Sequence, residues 1–257
     1  MTYDLLIAGE FDVARLRAAL AVIAAVAEAD VDVQPDGVVD RRWEAPVLCT
    51  YHLVPGNVTA TLDIYLRDQE PPELEVATRL AAEAGLHVLV QSQPLPPGSY
   101  WLIEPDGSRT RATVEEYFEA DETRVVIEAV AKPVSGLPPI PVAAQPEVIR
   151  FHRMPTPITD ELRGTGELLP ALVSALGGWE AFVARMTTGW PPDGWYPRDY
   201  FDDDLAVRDQ LAALPDRFAP ALDRIDQVYR AATSELADSA GEQRWWRRRV
   251  PDPLPWS

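Results

Sequence analysis

Cys49 and His52 are the first residues whose types could act together, since a thiol beside an imidazole is the raw material of a nucleophile and its base. They fall in residues 47–54, which read as a strand. Side chains three apart on a strand point to opposite faces, so the spacing predicts no dyad, and Cys49 is expected to be a small buried apolar group. His87 and His152 stand apart from each other and from the cysteine, and no Cys-x-x-Cys or His-x-x-x-His spacing occurs, so no zinc site is expected. Gly164-Thr165-Gly166 follows prolines where a phosphate cradle would follow a strand, and it lacks the third glycine. No Gly-x-Ser-x-Gly elbow is present. No catalytic, cofactor-binding or metal-ligating residue is therefore assigned, and the chain reads as leaning away from enzymes.

Three stretches remain as candidate contacts. Residues 189–204, Gly-Trp-Pro-Pro-Asp-Gly-Trp-Tyr-Pro-Arg-Asp-Tyr-Phe-Asp-Asp-Asp, read as a long loop before a helix beginning at Leu205. Its carboxylates Asp199, Asp202, Asp203 and Asp204 could hold a hard cation, but Asp before a helix start more simply caps amides and complements the dipole. Its aromatics Trp190, Trp195, Tyr196 and Tyr200 could stack a sugar or planar ligand, or anchor the loop to the core. The second stretch carries Glu115, Glu116 and Glu119 on a short helix opened by Thr113 in capping-box spacing, a surface a basic protein could dock on. The third is the tail from Arg244, with Trp245, Trp246, Arg247, Arg248, Arg249 and Trp256. Tryptophans are costly to leave in water, so the tail is expected to pack on the chain's own surface with its arginines on carboxylates.

Charge constrains the partner. Net charge is −18, and residues 1–131 hold 9 basic and 23 acidic side chains, whereas residues 132–257 hold 14 and 18. A field of that sign repels nucleic acid and anionic membrane and favours a partner with a basic surface. With 47% apolar residues the chain can build a core, and it shows no transmembrane run and no secretory signal; with a single cysteine this points to the cytoplasm. No cofactor is implied, and oligomeric state is left open.

The elements that must position these residues read as α+β. Residues 3–8 predict a strand and Asp12 caps a helix carrying Val13, Leu16, Leu20, Ile23 and Ala27 on one face. Residues 47–54 and 58–66 form a hairpin, residues 71–85 a second helix, and residues 86–91 another strand. That β-α-β-β-α-β order is ferredoxin-like, extended by strands at 100–104, 109–112 and 123–130. The expected domains are 1–131, an α+β sheet domain, then 132–157, a Pro-rich connector without regular helix, then 158–257, a helical domain with the Trp/Arg tail. Its helices are expected at 167–176, stopped by Gly177-Gly178, at 179–188, at 205–214, and at 216–238 as the longest. Two functions fit: a non-catalytic acidic protein-binding module such as an immunity- or antitoxin-like inhibitor, or an enzyme or small-ligand (for example carbohydrate) binder using residues 190–204 at the domain junction.

Overall fold

The computed structural model describes residues 2–92, 96–119, 122–164, 169–236 and 244–256. The chain divides into two compact units, Met1–Gln145 and Pro146–Ser257. Among the described residues no helix is long and apolar enough to cross a membrane.

Unit 1 is built on an eight-stranded mixed sheet. Its elements are β1 (Thr2–Ala8), α1 (Val13–Ala24), β2 (Val31–Pro35), β3 (Val47–Leu53), β4 (Val58–Leu66), α2 (Glu73–Ala84), β5 (His87–Gln91), β6 (Ser99–Ile103), β7 (Arg109–Glu119) and β8 (Glu122–Val130). The sheet order is β2-β3-β4-β1-β5-β6-β7-β8, with β2 parallel to β3 and every other pair antiparallel. Alternation sorts the side chains: Tyr3, Leu5 and Ile7 of β1 and Ala60, Leu62 and Ile64 of β4 go to the main core. There they meet Leu16, Leu20 and Ile23 of α1 and Val76, Leu80 and Ala84 of α2. Asp12 caps α1 as expected, accepting from the Ala14 amide at 2.8 Å, a contact worth about 1 kcal/mol.

The opposite face is concave, because the sheet curls until β8 reaches the turn before β4. Val125 donates its amide to the Pro55 carbonyl at 3.0 Å. Asn57 uses its side-chain amide as a strand would its backbone, donating to Ile127 O at 3.1 Å and accepting from Ile127 N at 2.6 Å. Gly56 allows this approach: at φ +128 its hypothetical Cβ would lie 2.0 Å from the Val125 oxygen. Inside the curl a second core forms from Ala8, Leu89, Leu102, Ala112, Val114 and Ile127, overlaid by Val134, Leu137 and Ile140 of the Pro-rich stretch.

Two expectations fail in this unit. The short helix at Thr113 is instead part of β7, because pairing of residues 112–119 with β8 satisfies the backbone that a one-turn helix would leave largely open; a bulge at Thr113/Val114 re-aims the strand. β2 was not expected at all, since Asp32 interrupts its apolar pattern. Asp32 is nonetheless 2% exposed, held by Arg41 Nε at 3.0 Å and Gln34 at 3.3 Å.

Unit 2 is mainly helical: α3 (Glu147–Phe151), α4 (Pro157–Arg163), α5 (Pro170–Thr187), α6 (Arg198–Gln210) and α7 (Ala219–Ala231), with β9 (Thr233–Glu235) pairing antiparallel with β10 (Arg249–Pro251). The Pro-rich stretch does hold a helix, α3, because Pro146 stands at its N-cap, where its lost amide has no role. Gly177-Gly178 does not end a helix. α5 runs through both for 18 residues and is the longest helix among the described residues. A Cβ at Gly177 would sit 3.4 Å from Thr159 of α4, and one at Gly178 would sit 3.4 Å from Val207 of α6. The glycines thus offset their helix-propensity cost, about 1 kcal/mol each, by close packing on two sides. α6 starts at Arg198, seven residues before the expected Leu205, so Asp199, Asp202, Asp203 and Asp204 lie within it. α7 ends at Ala231, because Thr233–Glu235 is drawn into the pairing with β10; Asp216 lies in a 3-10 turn before it. Thr165, Gly166, Glu167 and Asp238 lie outside the described residues.

Candidate functional site

The open end of the unit 1 concavity is a depression of about 460 Å³. β1, β3, β4, β5, β6 and β7 each point an alternate side chain into it: Asp4, His52, Asp63, Gln91, Tyr100 and Glu116, joined by Glu73 from the first turn of α2. Asp4 and Asp63 are direct cross-strand partners, a like-charge pairing that destabilises a sheet. Among the described residues no arginine or lysine forms an ion pair with Asp4, Asp63 or Glu116. Burial and the Asp4 charge raise the Asp63 carboxyl above its ordinary value, with Arg41 and His52 pulling the other way. Burial, then the fields of Glu116 and Asp4, raise Tyr100. His52 itself leans on Asp36 at 3.8 Å. Cys49, one strand position off that face, lies fully buried in the main core, its thiol pushed up to about 12 by burial.

Of the sequence candidates in this unit, Glu116 enters the depression and Glu115, its strand neighbour, takes the other face of β7. Glu119 closes β7, and its side chain lies outside the described residues. Asp4, Asp63 and Glu73 escaped the sequence reading because they are 69 residues apart at most and converge only through strand register. The local signal was a charged residue inside each of two apolar strands.

In unit 2 the segment 190–204 divides between core and surface. Trp190 and Tyr196 are buried, their rings 4.9 Å apart, and both lie 6.1 Å from Phe182 of α5. Trp195 and Tyr200 pack partly buried on the same cluster. Asp199, Asp202 and Asp203 do not converge. Asp199 and Asp203 lie on the α6 surface, Asp199 in its first turn, while Asp202 pairs with Arg198 one turn back at 3.1 Å. Asp204 turns inward and accepts the Tyr196 hydroxyl at 2.5 Å. Burial raises its carboxyl to about 6 against the pull of Tyr196 and Arg185. Burial and the same carboxylate push Tyr196 upward.

Behind this pair Arg185 is 7% exposed and donates to three main-chain carbonyls: Pro191, Ile149 at 3.1 Å and His152 at 2.7 Å. These groups border a hollow of about 260 Å³ whose other walls are Arg150, Gly178, Ala181, Phe182 and Tyr200. Arg185 and Arg150 were missed by the sequence reading. One sits in an otherwise apolar helix and the other in the Pro-rich stretch, and neither position advertises a pocket.

Three further carboxylates of unit 2 that are buried or half-buried, Asp226, Glu180 and Asp209, are satisfied within the fold. Asp226 receives Arg208 through two bonds at 3.0 and 2.7 Å and the Trp179 indole at 2.9 Å, all buried. Glu180 of α5 accepts the Ile158 and Thr159 amides, both at 2.8 Å, satisfying the first turn of α4. The tail docks on this body. Asp209 takes the Trp246 indole at 2.9 Å, Arg247 at 3.1 Å and Arg244, and Tyr229 donates to the Trp246 carbonyl at 2.9 Å. Arg230 lies 3.7 Å from the Trp245 ring, and Trp256 meets Phe201 edge-on at 5.1 Å. Among the described residues no group of three or more His, Cys, Asp or Glu is gathered as a metal ion would need. Comparison with protein-family models, with curated proteins and with solved structures finds no match to this chain.

Proposed function

We propose that the protein is a non-catalytic, acidic protein-binding module, an immunity- or antitoxin-like inhibitor, whose concave sheet face receives cationic side chains of a basic partner. The observation that carries this reading is the cross-strand pair Asp4–Asp63, held uncovered and, among the described residues, without an ion-pair partner in a depression that also contains Glu73 and Glu116. Like charges placed opposite one another cost stability in the free protein, and an arginine or lysine inserted between them relieves that cost. The same field disfavours nucleic acid and anionic lipid. A cytoplasmic location is supported by the single, buried cysteine. The ferredoxin-like reading of β1, β3, β4, β5, α1 and α2 is supported by the order β3-β4-β1-β5 and its antiparallel pairing, with the other strands as additions at both edges.

The test is binding of a fluorescent oligoarginine peptide to wild type, to Asp4→Asn/Asp63→Asn, and to Glu28→Gln/Glu83→Gln. The two variants lose the same charge, the second from exposed positions elsewhere on unit 1. A selective loss in the first variant, with affinity falling as salt rises, supports a site in the depression. Equal loss in both leaves only a diffuse acidic field and removes the reading.

A second reading, a small-ligand binder in unit 2, is favoured by the hollow beside Asp204, where buried cationic, phenolic and carboxyl groups converge on an apolar wall.

A further inference from the structure

Building on that second reading, we propose that the unit 2 hollow binds a small zwitterion of the amino-acid type, its ammonium on Asp204 and its carboxylate on Arg150. Three features of the hollow set this ligand class. First, it presents both charge signs without letting them neutralise each other. Arg150 acts on Asp204 through space, while its guanidinium rests over the Tyr200 ring at 4.2 Å. Second, each charge has capacity to spare. Tyr196 occupies Asp204 Oδ2, and Oδ1 accepts no hydrogen bond among the described residues, whereas Arg150 is exposed at the rim. Third, the hollow also has apolar lining, Phe182 and Ala181 with the side-chain-free Gly178, and the volume of about 260 Å³ suits a compact ligand.

Neighbouring groups narrow the choice further. Arg185 has both terminal nitrogens committed to main-chain carbonyls, so it acts on the Tyr196–Asp204 pair through its charge and does not reach out for an anion. A simple carboxylate would therefore meet Arg150 but be repelled by Asp204. A simple amine would meet Asp204 and be repelled by Arg150 and Arg185. A zwitterion with an apolar side chain satisfies both charges and covers the half-buried Gly178 and Ala181. Binding of this kind needs no reaction and no co-reactant.

The test uses the full chain, with calorimetric titration of L-leucine beside isoamylamine, 4-methylpentanoate and D-glucose. L-leucine is expected to bind, with the amine and the carboxylate each weaker by about tenfold or more. Arg150→Gln and Asp204→Asn are each expected to weaken L-leucine by about tenfold at unchanged far-ultraviolet circular dichroism. Because Arg150 is exposed, its variant stays informative even if Asp204→Asn perturbs folding. Equal binding of the amine or of the carboxylate, or binding of D-glucose alone, overturns the zwitterion while leaving a small-ligand site. No heat or melting shift with any probe overturns the small-ligand reading as well.

Discussion

The buried carboxylates of the helical unit and those on the concave face of the sheet unit are treated in opposite ways. In the helical unit Asp226, Asp209 and Glu180 are each enclosed by donors: a guanidinium fork and an indole on Asp226, three tail groups on Asp209, two amides on Glu180. On the concave face of the sheet unit Glu73 takes the single amide of Asp4 at 3.1 Å, while Asp4 and Asp63, opposed in register, have no ion-pair partner among the described residues. Buried charge is settled by donors when it serves the fold. Carboxylates left unsettled on a concave surface are the better candidates for binding, and Asp204 is the intermediate case, half settled by Tyr196.

This contrast can be broken by substitution. Asp226→Ala leaves Arg208 buried without its carboxylate and should lower stability the most, by about 3–5 kcal/mol, as read by urea denaturation with circular dichroism. A loss under 1 kcal/mol would remove the distinction between the units. Truncation before Arg244 should follow at about 3 kcal/mol, from three partly buried tryptophans and the contacts of Asp209. An unchanged melting temperature would recast the tail as an arm for another molecule.

The intermediate case shows in pH. Folding raises Asp204 from the ordinary 3.8 to about 6, so between those values the folded state holds a proton that the unfolded chain has released. Its contribution is fully present below 3.8 and is lost as pH rises through 6. Between pH 7 and pH 5 wild type should therefore gain about 1 kcal/mol relative to Asp204→Asn; parallel pH profiles for the two proteins would place Asp204 outside this class. The smallest effect is expected at Asp63→Asn, which removes the like-charge pair with Asp4 and should stabilise by about 0.5 kcal/mol. Destabilisation there would show that Asp63 serves the fold after all.

Periodicity made much of unit 1 legible. The Asp12 cap, both helices and the hairpin before α2 follow from alternation, capping and turn chemistry, which act within a few residues. The tail was legible for a different reason: paired tryptophans and arginines in an acidic chain have few places to go except onto the chain itself. Two of the failures share one cause. Gly177-Gly178 reads locally as a stop, yet packing against Thr159 and Val207 keeps α5 continuous. Thr113–Glu116 reads as a helix start, yet β8 supplies a pairing partner. In each place a tertiary neighbour satisfied the backbone better than the local option could.

The sequence by itself determined the α+β character of the chain, the concentration of acidity in its first half, and the opposite-face placement of Cys49 and His52. Only the tertiary structure decided which charges meet. Asp4 and Asp63 became partners through strand register, Asp204 left its aspartate neighbours to join Tyr196, and Arg185 found three carbonyls from two segments. Composition sets how many charges a chain carries, but their pairing depends on distances of a few ångström, and those are set by the packing of elements distant in sequence.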